Sequence, residues 1–167
     1  MPKGSPERTQ ARREEIIHAC SKLYETMGFK EITIKEIAAF TSFTRPSIYN
    51  YFQTKEEIFL GLLQQEYELW TEELDRISFS GKGSSRLEAA DKIARTLENR
   101  ELLLKLLSTN LKEMEQNSRL ENLVEFKKAY GGSIQAVRDC LKRFCPDMEE
   151  AEREEFVYSF FPLVYGI

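Results

Sequence analysis

The chain has 167 residues, with 41% hydrophobic and 31% charged residues and a formal net charge of −4. That composition belongs to a folded chain and excludes a disordered one. The length fits one medium domain or two small ones, and the acidic balance argues against a general nucleic-acid coat. Residues 1–55 hold nine Lys/Arg against six Asp/Glu, and the remainder holds fifteen against twenty-two. A mildly basic N-terminal part on an acidic body places any polyanion partner at the N-terminal end.

The first residues, MPKGSPERTQARREE, contain no apolar signal-peptide core, and no apolar run reaches the length of a membrane span. The expectation is a cytoplasmic protein with no membrane partner. Cys20, Cys140 and Cys145 lack disulfide-framework spacing and read as incidental or buried thiols.

Helical periodicity governs nearly every segment. From about Glu7 to Met27 the apolar residues Ile16, Ile17, Cys20, Leu23, Tyr24 and Met27 form one stripe. Gly28 reads as the residue that ends this helix, with Phe29 folding back on its last turn. Thr33-Ile-Lys-Glu36 is a capping box and opens a short helix to about Phe40. Thr44 can cap the next helix, where Pro46 is tolerated because first-turn amides have no helical partner. Thr54-Lys-Glu-Glu57 is a second capping box. It opens a long helix through about Ile77, with Ile58, Phe59, Leu62, Leu63, Tyr67, Trp70 and Leu74 on its apolar positions.

FSGKGSSR, residues 79–86, is the clearest loop. Its Gly-Lys-Gly-Ser lacks the spacing of a phosphate-binding loop and no strand precedes it. Helices are expected at about 86–97, 99–116 and 119–145, and from Met148 to the end. Gly131-Gly132 interrupts the third of these and predicts a kink or a close helix approach. The fold class is therefore all-α. A three-helix unit over residues 1–53 is joined through a long helix to a helical body over residues 54–167.

Two short helices with a tight turn between Thr33 and Phe52 have helix-turn-helix spacing. Ile34, Ile37 and Ala38 face inward from the first, and Phe43 plugs the turn. Ile48, Tyr51 and Phe52 turn inward or toward the joint with the next helix. Arg45, Ser47, Tyr49 and Asn50 cannot all lie on that buried stripe and project near the start of the second helix. A helix fits the major groove of DNA, where Arg donates two bonds to guanine and Asn pairs with adenine. A Tyr hydroxyl can reach a phosphate. Lys55 stands in the first turn of the long helix, where free amides and the helix dipole favour an anion. Lys3, Arg8, Arg12 and Arg13 can add backbone contacts.

The stretch TIKEIAAFTSFTRPSIYNYFQTKEEIF, residues 33–59, resembles the DNA-binding signature of the TetR family of one-component transcriptional regulators. Thr33, Ile37, Ala38, Thr44, Ser47, Ile48, Tyr49, Tyr51, Phe52, Lys55, Glu56 and Glu57 carry the match. Motifs cover about residues 8–60, and beyond them only the helix layout agrees. The resemblance implies a homodimer bound to a palindromic operator. It also implies a helical C-terminal domain that takes a small-molecule effector, and repression relieved by that effector. By position it puts Thr33, Thr44, Arg45, Pro46, Ser47, Tyr49, Asn50, Tyr51 and Lys55 at the DNA. Arg45, Ser47 and Asn50 are the candidates for base reading. Thr33, Tyr49, Tyr51 and Lys55 are the candidates for phosphate clamping. The family turn carries Gly where this chain has Ser42, so a left-handed residue there would cost about 1 kcal/mol. Pro46 also departs from the family's small residue.

Tyr67, Trp70, Met114, Phe126 and Tyr130 are the candidates for an effector pocket, although aromatics at helical spacing build cores by default. No cofactor, metal or catalytic residue is expected. His18 is the single histidine, and no nucleophile motif accompanies it. FVYSFFPLVYGI, residues 156–167, is apolar on nearly all sides and reads as a helix cut in mid-course, so the chain is expected to be C-terminally truncated. Two other readings remain open. One is a ligand-independent or architectural DNA-binding protein. The other is a helical dimerising adaptor that has lost DNA binding.

Overall fold

The computed structural model describes residues 5–80, 85–109 and 111–166. Among these residues every regular element is a helix, and the all-α expectation holds. In chain order the helices are α1 (Pro6–Thr26), α2 (Ile34–Ala39), α3 (Arg45–Ile48), α4 (Lys55–Ser80), α5 (Arg86–Glu98), α6 (Glu101–Leu107), α7 (Leu111–Gln116), α8 (Leu120–Phe144) and α9 (Glu150–Tyr165). They fall into two compact units. The first comprises residues 1–62 and 111–124, the second residues 63–110 and 125–167.

The first unit is built on α1. Ser5 caps that helix by accepting from the Arg8 amide, and Pro6 occupies a first-turn position. Ile16, Cys20 and the first-unit residues Ile32, Ile37, Ile48, Phe52 and Phe59 are all buried. Tyr24 and Phe29 set their rings edge-on to Phe59, at 5.1 and 4.7 Å between centroids. A Cβ added at Gly61 would stand 3.0 Å from Ile17 Cδ1, so glycine is what lets α4 approach α1 here.

The second unit has an aromatic centre. Trp70 is buried and donates its indole N–H to Thr96 Oγ1 at 2.8 Å. Its ring meets those of Tyr67 and Phe161, and ring contacts continue from these to Phe126, Tyr130 and Tyr165. α5 starts at Ser85 with a complete capping box to Glu88, and α9 starts with the equivalent box from Glu149 to Glu152.

Several local expectations are corrected. The single helix expected over 99–116 is two helices, α6 and α7, separated after the Ser108 cap. Gly131-Gly132 does not interrupt α8, and a Cβ added at either glycine meets nothing within 4 Å. The close-approach reading of that pair therefore fails. Among the described residues no backbone φ is positive, so Ser42 needs no left-handed conformation and Gly28 does not act through one. The Ser42 amide instead donates to the Glu15 carboxylate of α1 at 2.7 Å. α1 ends with Met27 as its cap, and Gly28 donates its amide to the Glu31 carboxylate. The 79–86 loop falls partly outside the described residues, as does Lys3.

Candidate nucleic-acid interface

The helix-turn-helix is α2, the turn 40–44 and α3. α2 is short because it is capped at both ends. Thr33 accepts from the Lys35 amide and donates to the Glu36 carboxylate, and the Phe40 amide closes the far end on Ile37 and Ala38. Thr44 stands at the start of α3 but makes no side-chain cap. Its hydroxyl pairs with the Ser47 hydroxyl at 3.0 Å. Helical bonding continues past Ile48, since the Tyr51 and Phe52 amides both donate to the Ile48 carbonyl.

That geometry sorts the candidate residues. Arg45, Pro46, Tyr49 and Asn50 are exposed, Ser47 is half-buried, and Ile48 and Phe52 are buried. Arg45 Nη2 donates to the Tyr49 hydroxyl at 3.4 Å, so the two stand together on one face of the turn. This single bond uses one of the five guanidinium N–H groups. The face thus offers a forked donor, a phenol and an amide at the side of a short helix. That is the chemistry needed to read base edges and touch phosphates in a major groove. Thr33 is also exposed, at the start of α2.

Three candidates stand differently. Tyr51 is half-buried with its ring 6.2 Å from that of Phe43, and its carbonyl accepts from both Arg13 and Arg119. Lys55 Nζ donates to the carbonyls of Phe29 (2.8 Å) and Ile32 (3.2 Å) and lies over the Phe29 ring. Two of its three N–H groups therefore brace the turn after α1. Arg13 is likewise drawn inward, over the Phe52 ring at 4.3 Å and bonded to Asn122 Oδ1. It is not free for the backbone contact expected of it.

The start of α4 already holds an anion from the chain itself. The Glu57 carboxylate is 1% exposed and accepts from the Gln53 amide at 2.7 Å. It also accepts from the Arg119 amide and, through both oxygens, from the Arg119 guanidinium. Burial raises its pKa, but the Arg119 guanidinium and the two backbone amides outweigh burial and leave it lowered. Thr54 accepts from the Glu57 amide and donates to the Asn117 carbonyl. Asn117, Arg119 and Asn122 had no signal in the sequence. They act on residues more than sixty positions away, beyond the reach of a local motif.

The pocket candidates do not gather as one set. Tyr67, Trp70 and Phe126 are buried and Tyr130 is half-buried, all in the second unit, whereas Met114 is buried in the first. Tyr67 and Tyr165 share a hydroxyl–hydroxyl bond at 2.8 Å. Two surface cavities have other linings. One, of about 380 Å³, is lined by Ser78, Phe79, Asp139, Lys142 and Arg143. The other, of about 230 Å³, lies among Gln135, Arg138, Lys142, Glu150, Arg153 and Glu154. All three cysteines are buried, and burial pushes the Cys20 and Cys140 thiols up to about 12, which leaves them unreactive.

Comparison with known proteins follows this division. Residues 16–62 match the family of bacterial regulatory proteins named for tetR, and residues 64–167 match the tetracyclin repressor-like C-terminal domain. The chain belongs to the TetR family. A Bacillus subtilis protein, the uncharacterized HTH-type transcriptional regulator YfiR, is 28% identical over 75 residues, 45% of this chain and 37% of its own length. A second, YdgC, is 37% identical over 51 residues, 30% of this chain and 26% of its own. An HTH-type transcriptional repressor of Mycobacterium tuberculosis is 24% identical over 91 residues, 54% of this chain and 49% of that protein. The chain thus spans half or less of the length of these curated relatives. The fatty acid degradation regulator FadR from Bacillus halodurans has the same fold, with a TM-score of 0.65 over 99% of this chain and 83% of that one, at 14% identity.

Proposed function

We propose that this TetR-family chain is a sequence-specific regulator of transcription that binds duplex DNA through the α2–α3 motif. The observation that carries this reading is the exposed Arg45–Tyr49–Asn50 face on a turn whose opposite side, Ile48 and Phe52, is buried. Arg45 and Asn50 read base edges, with Ser47 beside them. Thr33, Thr44, Tyr49 and the remaining N–H of Lys55 contact phosphates, and Pro46 and Tyr51 fix the backbone between them. The regulator works as a homodimer on a palindromic operator in the cytoplasm and represses the adjoining gene. Two copies of one reading face require two half-sites on one side of the duplex, about 34–36 Å apart or a multiple of that.

A small-molecule effector in the second unit, near Tyr67, Trp70, Phe126 and Tyr130, would shift the spacing of the two faces. It can do so only by binding the two states unequally. The mutual packing of those rings favours a second reading, in which the regulator acts without a ligand. Selection of binding sites from a random duplex pool tests the proposal. Recovery of one two-fold symmetric motif is the expected result, and recovery of no motif would remove it.

A further inference from the structure

The carbonyl of Tyr51 closes the helical turn that carries Arg45, Tyr49 and Asn50. A carbonyl at the end of such a turn has no partner further along the helix. Here two guanidinium groups supply one, Arg13 Nη1 at 3.0 Å and Arg119 Nη2 at 3.0 Å. Two cations converging on one oxygen repel each other, and Arg13 is shifted downward by burial and by the Arg119 charge. Glu57 offsets that repulsion. Its carboxylate takes Arg119 side by side, Nε to Oε1 at 2.8 Å and Nη2 to Oε2 at 3.0 Å. The same carboxylate holds the Gln53 amide, two residues past Tyr51.

Arg119 belongs to the stretch 64–167 matched by the family's C-terminal domain, yet residues 111–124 fold with the N-terminal unit. Three of their groups reach the α3–α4 joint or its α1 support. The Asn117 carbonyl takes the Thr54 hydroxyl, Arg119 takes Tyr51 and Glu57, and Asn122 takes Arg13. An ordinary surface ion pair would not combine a carboxylate only 1% exposed with four hydrogen bonds to its two oxygens.

We propose that Arg119 is a positioning residue for DNA reading: its clasp on Tyr51 and Glu57 sets the orientation of the Arg45–Asn50 face. This rests on the DNA-binding reading above. With Arg119 in place, the turn from α3 into α4 is fixed and the face keeps its register with the bases. Without it, the Tyr51 carbonyl keeps only Arg13, the carboxylate that holds the Gln53 amide loses its guanidinium, and the face loosens, while phosphate contacts that need no register persist.

The test uses the full chain with three variants, R119Q, R119K and R119Q/E57Q. Two readouts are taken. The first is affinity for the selected duplex and for a scrambled duplex of equal length at one salt concentration. The second is hydrogen exchange at the Gln53 and Phe52 amides, with the slowest amides reporting global stability. R119Q should lose about tenfold or more in affinity for the selected duplex, the effect of losing one base contact, with little change on the scrambled one. Its Gln53 amide should exchange faster. R119K, which keeps the charge without the fork, should fall between R119Q and the parent. R119Q/E57Q leaves no buried unpaired charge and keeps the fold if R119Q alone does not, and it should show the same loss of discrimination. Equal losses on both duplexes, or unchanged Gln53 exchange in a folded variant, would overturn the proposal. If the parent chain does not discriminate between duplexes, the DNA-binding reading itself fails. In that case faster Gln53 exchange in R119Q would still support the clasp, and unchanged exchange would sink it too.

Discussion

Arg119 and Glu57 meet as two parallel hydrogen bonds, 2.8 and 3.0 Å long, across 62 positions of sequence. The carboxylate is buried and the guanidinium is half-buried. Removing Arg119 strands a buried carboxylate, whereas removing Glu57 leaves a guanidinium that still reaches solvent.

The pair gives stability a pH dependence with a definite sign. Glu57 has a lowered pKa in the folded protein, because Arg119 and the Gln53 and Arg119 amides outweigh its burial. The folded state therefore binds its proton less readily than the unfolded chain does. The contribution is complete above the ordinary glutamate pKa of about 4.3 and is lost as the pH falls through the lower folded value. Urea unfolding midpoints measured from pH 7 down to pH 3 should drop at the acid end. The same series for Glu57→Gln should start lower and drop less. Parallel curves for the two proteins would deny Glu57 this role.

Arg45→Ala should cost roughly 1–3 kcal/mol on the cognate duplex and relax the preference at one base position. Its guanidinium is exposed and bonded only to the Tyr49 hydroxyl at 3.4 Å, so folding stability should hardly change. Competition binding against duplexes mutated at each position is the measurement. A uniform loss over all sequences would make Arg45 a phosphate contact.

Lys55→Ala should act twice. Losing the bonds to the Phe29 and Ile32 carbonyls should cost about 1–2 kcal/mol of stability. Losing the phosphate contact proposed for its third N–H should reduce the slope of log affinity against log salt by about one. Denaturant titration and salt-dependent binding separate the two. An unchanged slope with lowered stability would leave Lys55 as a brace for the turn alone.

Gly131→Ala and Gly132→Ala should each stabilise the protein by about 0.5–1 kcal/mol. Both positions lie inside α8, and an added Cβ meets nothing within 4 Å. Thermal unfolding of the single variants checks this. Destabilisation by either would contradict an unopposed Cβ at that position.

Those glycines also show where sequence reasoning stops. Paired glycine signals a weak helix interior, but tertiary packing decides whether the helix breaks, and α8 runs through. The helix starts at Thr33 and Thr54 and the helix-turn-helix spacing were legible because their partners lie within four residues, but neither start closes as the expected capping box: Thr33 accepts from the Lys35 amide, and the Glu57 carboxylate takes the Gln53 amide instead of that of Thr54. The exposed face at Arg45, Tyr49 and Asn50 was legible from periodicity, since Ile48 and Phe52 define the buried side. The α6–α7 break was not, because leucines at nearly every position from 102 to 107 look helical throughout. Nor was the inward turn of Arg13 and Lys55. Each looks like a surface cation until the carbonyls of Tyr51, Phe29 and Ile32 are placed beside it. Met114 illustrates the same limit. It groups with the aromatic candidates as a large residue in the helices of the body, but it folds with the other unit.

The most direct test of the central claim is the affinity of the chain for its selected duplex and for a scrambled duplex, measured side by side over a range of salt. Specific recognition through the α3 face predicts a ratio of about 10³ or more that survives at physiological salt. Equal affinities, both falling together as salt rises, would mean that only the phosphate backbone is bound and would contradict a sequence-specific regulator.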